Sequence, residues 1–121
     1  MRKNFGWDLS DDAIALSTGF PWGLGGAGCI CGAVAGSTMC LGYVFGRREP
    51  GKPVAKCHKL TKELADTFKE KLGPICCKKF TQEFADRNDP ARKRKCTDAV
   101  LLCAETAARI IVRETGLTAE E

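Results

Sequence analysis

The stretch CICGAVAGSTMCLGYVFG, residues 29–46, contains no charged side chain and predicts a buried helix. The spacing of Gly28, Gly32 and Gly36 would place three glycines on one face of that helix. Such a face lets a neighbouring helix approach closely, within one chain or between two copies. The uncharged region starts at Ala13, but we expect no membrane span, because glycines and a proline interrupt it.

The sequence around this helix predicts further helices and no strand. A glycine-dense loop, residues 20–28, precedes the buried helix. Asp89 and Pro90 predict the start of the last helix, and Gly116 predicts its end. Apolar periodicity predicts a helix over residues 54–72. Ser10 and Gly19 mark the ends of a short helix over residues 9–18, and Pro74 opens a further short helix over residues 75–84. We therefore predict a single all-α domain over residues 1–121, a compact bundle of four to five helices with a glycine-rich loop before the buried glycine-rich helix.

Eight cysteines are the main chemical feature of this 121-residue chain. No apolar signal segment follows Met1-Arg2-Lys3, so we expect the protein in the reducing cytoplasm. Cysteines there are more often metal ligands, redox thiols or small packing residues than disulfides. The net charge of +4 is only mildly basic, and we expect no nucleic-acid partner. A phosphate-binding loop and a catalytic triad are both missing from the sequence, which leaves open whether the protein is an enzyme.

The spacing of the cysteines limits which of them can share a site. Cys31 and Cys40 are nine residues apart, which on a helix is half a turn out of phase, so they are predicted to face opposite sides. The sequence has no CxxC pair and no CxxCH motif, which argues against a thioredoxin-type dithiol and against covalent c-type haem. Any metal site is therefore expected to combine cysteines from distant helices or from two subunits.

Cys76 and Cys77 follow Gly73-Pro74 and are predicted to lie in the first turn of a helix. Helix N-termini favour thiolates, and Lys78 and Lys79 add positive charge nearby. This pair therefore suits metal ligation or nucleophilic thiol chemistry.

Other polar and sulfur-containing side chains have simpler interpretations. Cys57 is expected to pack in the core, and His58, the only histidine, lies off the apolar stripe and is a weaker ligand candidate. The basic run of residues 92–95 is expected to be a solvated helix start or a partner contact rather than a phosphate site. The inner stripe predicted for the last helix is Cys96, Val100, Cys103, Ala107, Ile110 and Ile111.

From Cys31 to Gly36 the sequence reads CGAVAG, and there it resembles the C_GCAxxG_C_C family of redox-active proteins. Residues 20–25 are similar to the glycine-rich approach of that family, and Cys77 and Cys96 take the places of its later cysteines. The resemblance covers roughly residues 10 to 112. A similar domain occurs in split-Soret cytochrome c, whose haem-attachment motif this sequence lacks.

The resemblance implies an iron–sulfur or otherwise redox role. For a cluster, the suspected metal ligands are Cys31, Cys77 and Cys96, beside Gly32 and Gly36 of the motif. The family also carries a first cysteine on a helix upstream of the glycine loop, and this sequence has no cysteine before residue 29. Three possibilities follow for the missing ligand. The site is lost, or a second subunit or a separate chain supplies the ligand, or another cysteine of this chain replaces it. The candidates within this chain are Cys76, Cys29, Cys40 and Cys57.

Four functions remain open from the sequence. The first is a cluster-binding protein for electron transfer or redox sensing, with an unknown redox partner protein and with N–H groups of the loop over residues 25–32 donating to cluster sulfur. The second is a metal-free thiol oxidoreductase that uses Cys76 and Cys77. The third is a structural zinc protein, and the fourth is a helical interaction module with buried cysteines. The close-packing glycine face also predicts a homodimer.

Overall fold

The computed structural model describes residues 1, 5–86 and 88–116. This part of the chain is an all-α bundle without a strand, as predicted. Three long helices and three short helical segments lie wholly within it, and none of the described helices combines the length and apolar character needed to span a membrane. In chain order the segments are α1 (Asp12–Leu16), α2 (Pro21–Leu24), α3 (Gly32–Phe45), α4 (Ala55–Lys71), α5 (Cys77–Phe80) and α6 (Pro90–Thr115).

The core lies between α3, α4 and α6, because each of these three helices contacts the other two. Its apolar side chains form two clusters. The cluster nearer the glycine loop contains Cys31, Val34, Phe68, Phe80, Ala99 and Cys103. The second cluster contains Leu41, Leu60, Leu64, Ala107, Ile110 and Ile111. Burial of each large apolar side chain stabilises the fold by roughly 1.5–3 kcal/mol, so these clusters hold the three helices together.

Helix α6 begins and ends where the sequence predicts. The Asp89 carboxylate accepts a hydrogen bond from the Ala91 N–H at 2.8 Å, and Gly116 ends the helix with a left-handed φ of 73°. The predicted inner stripe is wrong at Val100, which is 53% exposed. Val100 borders a cavity, so this level of α6 faces open space instead of a neighbouring helix.

The predicted bounds of three other helices need correction. α1 is shorter than residues 9–18, although the Ser10 hydroxyl does accept a hydrogen bond from the Asp12 N–H at 3.1 Å. α5 covers one turn instead of residues 75–84. α3 begins at Gly32 instead of Cys29, because Ile30 has a φ of 56° and cannot continue a right-handed helix. The bounds of α4 agree with residues 54–72 to within one residue at each end.

The glycine loop contains a left-handed turn. Trp22, Gly23, Leu24 and Gly25 have φ values of 57°, 67°, 64° and 68° in succession. A residue with a Cβ is less stable in this conformation by roughly 1–2 kcal/mol, so surrounding contacts must hold Trp22 and Leu24 there. A Cβ atom at Gly23 would lie 2.8 Å from the Cβ of Cys77, so only glycine lets the turn approach α5 this closely.

Candidate functional site

A cavity of about 640 Å³ lies between the glycine loop, the start of α3, α5 and α6. Cys31, Cys77 and Cys96 all line it, although they come from three separate segments of the chain. Cys40 lines the same cavity from the second half of α3. The cavity also borders Phe20, Trp22 and Val100, which make much of its wall apolar. The three cysteines singled out by the family resemblance therefore share one space with a fourth thiol.

Cys31 reaches the cavity because it precedes α3 instead of lying within it. Its ψ of 129° is extended, and its N–H donates to the carbonyl oxygen of Ile75 at 2.6 Å. The helical phase between Cys31 and Cys40 therefore does not apply, and the prediction that they face opposite sides is wrong. The N–H of Cys29 likewise donates to the Gly23 carbonyl at 3.2 Å. These two loop N–H groups are thus engaged with backbone carbonyls, contrary to the expectation that they would serve a cluster.

The glycines of the CGAVAG motif lie along the cavity wall. Gly32, Gly36 and Cys40 are spaced four residues apart on α3, so they share one helix face, and all three line the cavity. A Cβ atom at Gly36 would meet no other segment within 4 Å. Gly28 does not join this face, because it lies in the loop with a φ of 80°. Among the described residues, this face therefore borders open space at Gly36, whereas at Gly32 an added Cβ atom would lie 3.2 Å from the Phe20 carbonyl oxygen.

Arg92 is a cavity residue that the sequence analysis missed. Its side chain is buried, and its Nη2 lies 3.9 Å from the Cys77 Sγ. Lys95, from the same basic run, donates from Nζ to the Phe80 carbonyl oxygen at 2.6 Å and to the Glu83 carboxylate at 2.7 Å. The expectation of a solvated run is therefore wrong for these two residues. The sequence places position 92 one helical turn before Cys96 on the same face of α6, but the burial of Arg92 depends on the segment that carries Cys77.

Two of the thiols that line the cavity, Cys96 and Cys40, have a raised pKa. Burial raises the pKa of Cys96, the Arg92 charge opposes this effect, and the nearby thiols of Cys31 and Cys77 reinforce it. Burial also raises the pKa of Cys40. These two thiols are protonated at neutral pH, so any metal that bound them would release protons. Beneath the cavity, burial raises the pKa of Cys103 to about 12, which fits the predicted packing role of this residue.

Cys29 and Cys76 form a separate pair. Their Sγ atoms lie 3.9 Å apart, and the Cys76 thiol donates to the Gly28 carbonyl oxygen at 3.0 Å. The backbone N–H of Lys79 lowers the pKa of Cys76, and the thiol of Cys29 acts in the same direction. Cys76 and Cys77 are adjacent in sequence, but Cys76 contacts Cys29 whereas Cys77 lines the cavity.

The remaining ligand candidates lie on α4. Cys57 is half-buried and His58 is exposed, and neither is among the described residues that line the cavity. All eight cysteines are free thiols. Across residues 1, 5–86 and 88–116, no group of three or more histidine, cysteine, aspartate or glutamate side chains is arranged to hold a metal ion.

The chain is similar to a known protein family over most of its length. A protein-family model described as "Putative redox-active protein (C_GCAxxG_C_C)" matches residues 1–110, which is most of the chain. No curated protein and no solved structure matches the sequence. The matched range includes the CGAVAG motif, Cys77 and Cys96 together with the helices that bring them to the cavity. The chain belongs to the C_GCAxxG_C_C family of redox-active proteins.

Proposed function

We propose that this redox protein binds an iron–sulfur cluster in the cavity and uses it for electron transfer or redox sensing. The observation that carries the proposal is the meeting of Cys31, Cys77 and Cys96 around one cavity, from the loop, α5 and α6. Thiolates are the usual ligands of such clusters, and segments distant in sequence can supply them. A bound cluster would accept or donate one electron.

The cavity suits a cluster better than a single ion. A zinc ion needs its ligands around one point, whereas a cluster separates its thiolate ligands by the width of the iron–sulfur core. Here Cys31, Cys77 and Cys96 come from three segments of the chain and line a cavity of about 640 Å³. Arg92 places a cation near Cys77, which would offset the negative charge of a thiolate-ligated cluster. Burial and nearby hydrogen-bond donors are also the features that tune cluster potentials.

Cys40 is the best candidate for a fourth ligand. It lines the same cavity as Cys31, Cys77 and Cys96. Among the other candidates, Cys29 and Cys76 contact each other, and Cys57 lies on α4. We therefore favour Cys40 over these three. With Cys40 as ligand, one chain supplies four cysteines, and no ligand from a second subunit is required.

Single cysteine replacements test the ligand set. After anaerobic reconstitution with iron and sulfide, Cys31→Ala, Cys77→Ala and Cys96→Ala should each lose most of the visible absorption, because each removes one thiolate from the cavity. Cys40→Ala should lose it as well if Cys40 is the fourth ligand. Cys57→Ala is the matched control and should retain the colour. Full absorption in the Cys31, Cys77 and Cys96 variants would refute this ligand set.

The same preparations separate the cluster from the alternatives. Stoichiometric zinc without iron would support the structural zinc hypothesis. Metal-free protein whose free-thiol count falls with oxidant would support a thiol oxidoreductase. Under that hypothesis, Cys76 and Cys77 are a poor choice as the pair that forms the redox-active disulfide, because Cys76 contacts Cys29 whereas Cys77 lines the cavity.

We further propose that two copies associate through the α3 face at Gly36. A Cβ atom at this position would meet no other segment within 4 Å, and the nearby Ile14 and Val100 are 58% and 53% exposed. Light scattering after gel filtration should give twice the monomer mass, and Gly36→Leu should reduce it to the monomer mass. Gly42→Leu, also unobstructed but on another face of α3, is the control. A monomeric wild-type protein would contradict the homodimer.

A further inference from the structure

Two short segments beside the cavity are clamped together by backbone hydrogen bonds. The Cys31 N–H donates to the Ile75 carbonyl at 2.6 Å, and the Lys78 N–H donates to the Gly28 carbonyl at 2.9 Å. The paired positions run in opposite directions along the chain, so residues 28–31 and 75–78 lie antiparallel. One segment carries Cys31 to the cavity and the other carries Cys77.

The Cys29 and Cys76 thiols face each other across this clamp. Their Sγ atoms are 3.9 Å apart, so a disulfide requires the two atoms to approach by about 2 Å. Cys29 is exposed, which gives a small reactant access to the pair. Neither residue is among the described residues that line the cavity. The pair is therefore distinct from the ligand set proposed above.

We propose that Cys29 and Cys76 form a reversible disulfide by exchange with a low-molecular-weight disulfide such as oxidised glutathione. In the first step, the sulfur of one cysteine attacks the small disulfide, forms a mixed disulfide and releases one small thiol. In the second step, the other cysteine attacks the protein-bound sulfur, forms the Cys29–Cys76 bond and releases the second small thiol. The two protein thiols are oxidised, the small disulfide is reduced, and the protein thiol protons pass to the released thiols.

The link would join the segments that present Cys31 and Cys77. The hydrogen-bonded clamp can open with local fluctuations, whereas a covalent bond across it would hold the two segments together. The disulfide would therefore stiffen one side of the cavity under oxidising conditions. This reaction needs no metal. The proposed disulfide therefore goes beyond the proposed cluster, and the two proposals can be tested separately.

Disulfide mapping tests the proposal on the full chain. Metal-free protein is equilibrated in buffers of reduced and oxidised glutathione, free thiols are blocked, and the linked peptides are identified by mass spectrometry. We expect a link between the peptide containing Cys29 and the peptide containing Cys76, with loss of that link in reducing buffer. Because Cys31 and Cys77 lie in the same peptides, the variants Cys29→Ser and Cys76→Ser complete the assignment, and each should abolish the link.

The control variants should keep the disulfide link that the Cys29 and Cys76 variants lose. Cys57→Ser and the double variant Cys31→Ser/Cys77→Ser should both retain the link, because they leave Cys29 and Cys76 in place. A single variant, Cys29→Ser or Cys76→Ser, should instead accumulate glutathione on the remaining cysteine of the pair. A link that survives in Cys29→Ser, or the absence of any link in oxidising buffer, would overturn the proposal. Iron content, measured separately, reports on the cluster and does not affect this result.

Discussion

Gly23→Ala should displace Cys77 from its position beside the cavity and so disrupt the proposed cluster site. Gly23 is buried with a φ of 67°, and an added Cβ atom would lie 2.8 Å from both the Cys77 Cβ and the Cys29 backbone nitrogen. The left-handed conformation alone disfavours alanine by roughly 1 kcal/mol or more. The steric clash adds to this, and it can be relieved only if the turn and α5 move apart. We expect lower stability to urea and loss of most cluster binding after reconstitution with iron and sulfide.

Gly25→Ala is the matched control for this prediction. Gly25 has nearly the same φ, 68°, but a Cβ atom there would meet nothing within 4 Å. This variant should therefore show the conformational penalty alone and keep its visible absorption after reconstitution. Equal losses of absorption in the two variants would show that the close contact between Gly23 and Cys77 does not position the site.

Phe68→Ala should have the largest effect on folding. Phe68 is 1% exposed and lies in the cluster that contains Cys31, with its ring 5.4 Å from the ring of Phe80. Replacement of a buried phenylalanine by alanine lowers the free energy of unfolding by about 3–5 kcal/mol, because apolar burial is lost and a cavity is left behind. A domain of this size has a total stability of about 5–15 kcal/mol, so the urea midpoint should fall sharply.

Two further variants provide a milder substitution at Phe68 and a control at an exposed position. Phe68→Leu retains most of the apolar volume and should remain folded with a smaller loss, even if the alanine variant does not fold. Leu16→Ala, at a position 76% exposed, should change the free energy of unfolding by no more than about 0.5 kcal/mol. A Phe68→Ala midpoint close to that of Leu16→Ala would contradict the described core.

The helical framework could be predicted because its signals are local. Asp89, Pro90 and Gly116 mark the ends of α6 through capping. The apolar periodicity of α4 predicts both of its ends to within one residue of those observed. These effects depend on residues within one or two turns of each other. The α-helical class and the order of the long helices follow from such signals alone.

The arrangement of the site could not be derived in the same way. Cys31 and Cys40 share the cavity because the chain turns at Ile30, where a positive φ in a β-branched residue has no sequence signal. The pairing of Cys29 with Cys76 depends on contacts between residues 47 positions apart. Arg92 is buried because the segment carrying Cys77 packs against the start of α6. All three features depend on tertiary packing rather than on local spacing.

The iron–sulfur cluster is tested by the visible absorption spectrum of protein purified without oxygen, with iron and sulfide analysis of the same sample. We expect broad visible absorption, with iron and acid-labile sulfide in a simple ratio to protein. Colourless, iron-free protein with eight titratable thiols, unchanged by reconstitution with iron and sulfide, would contradict it.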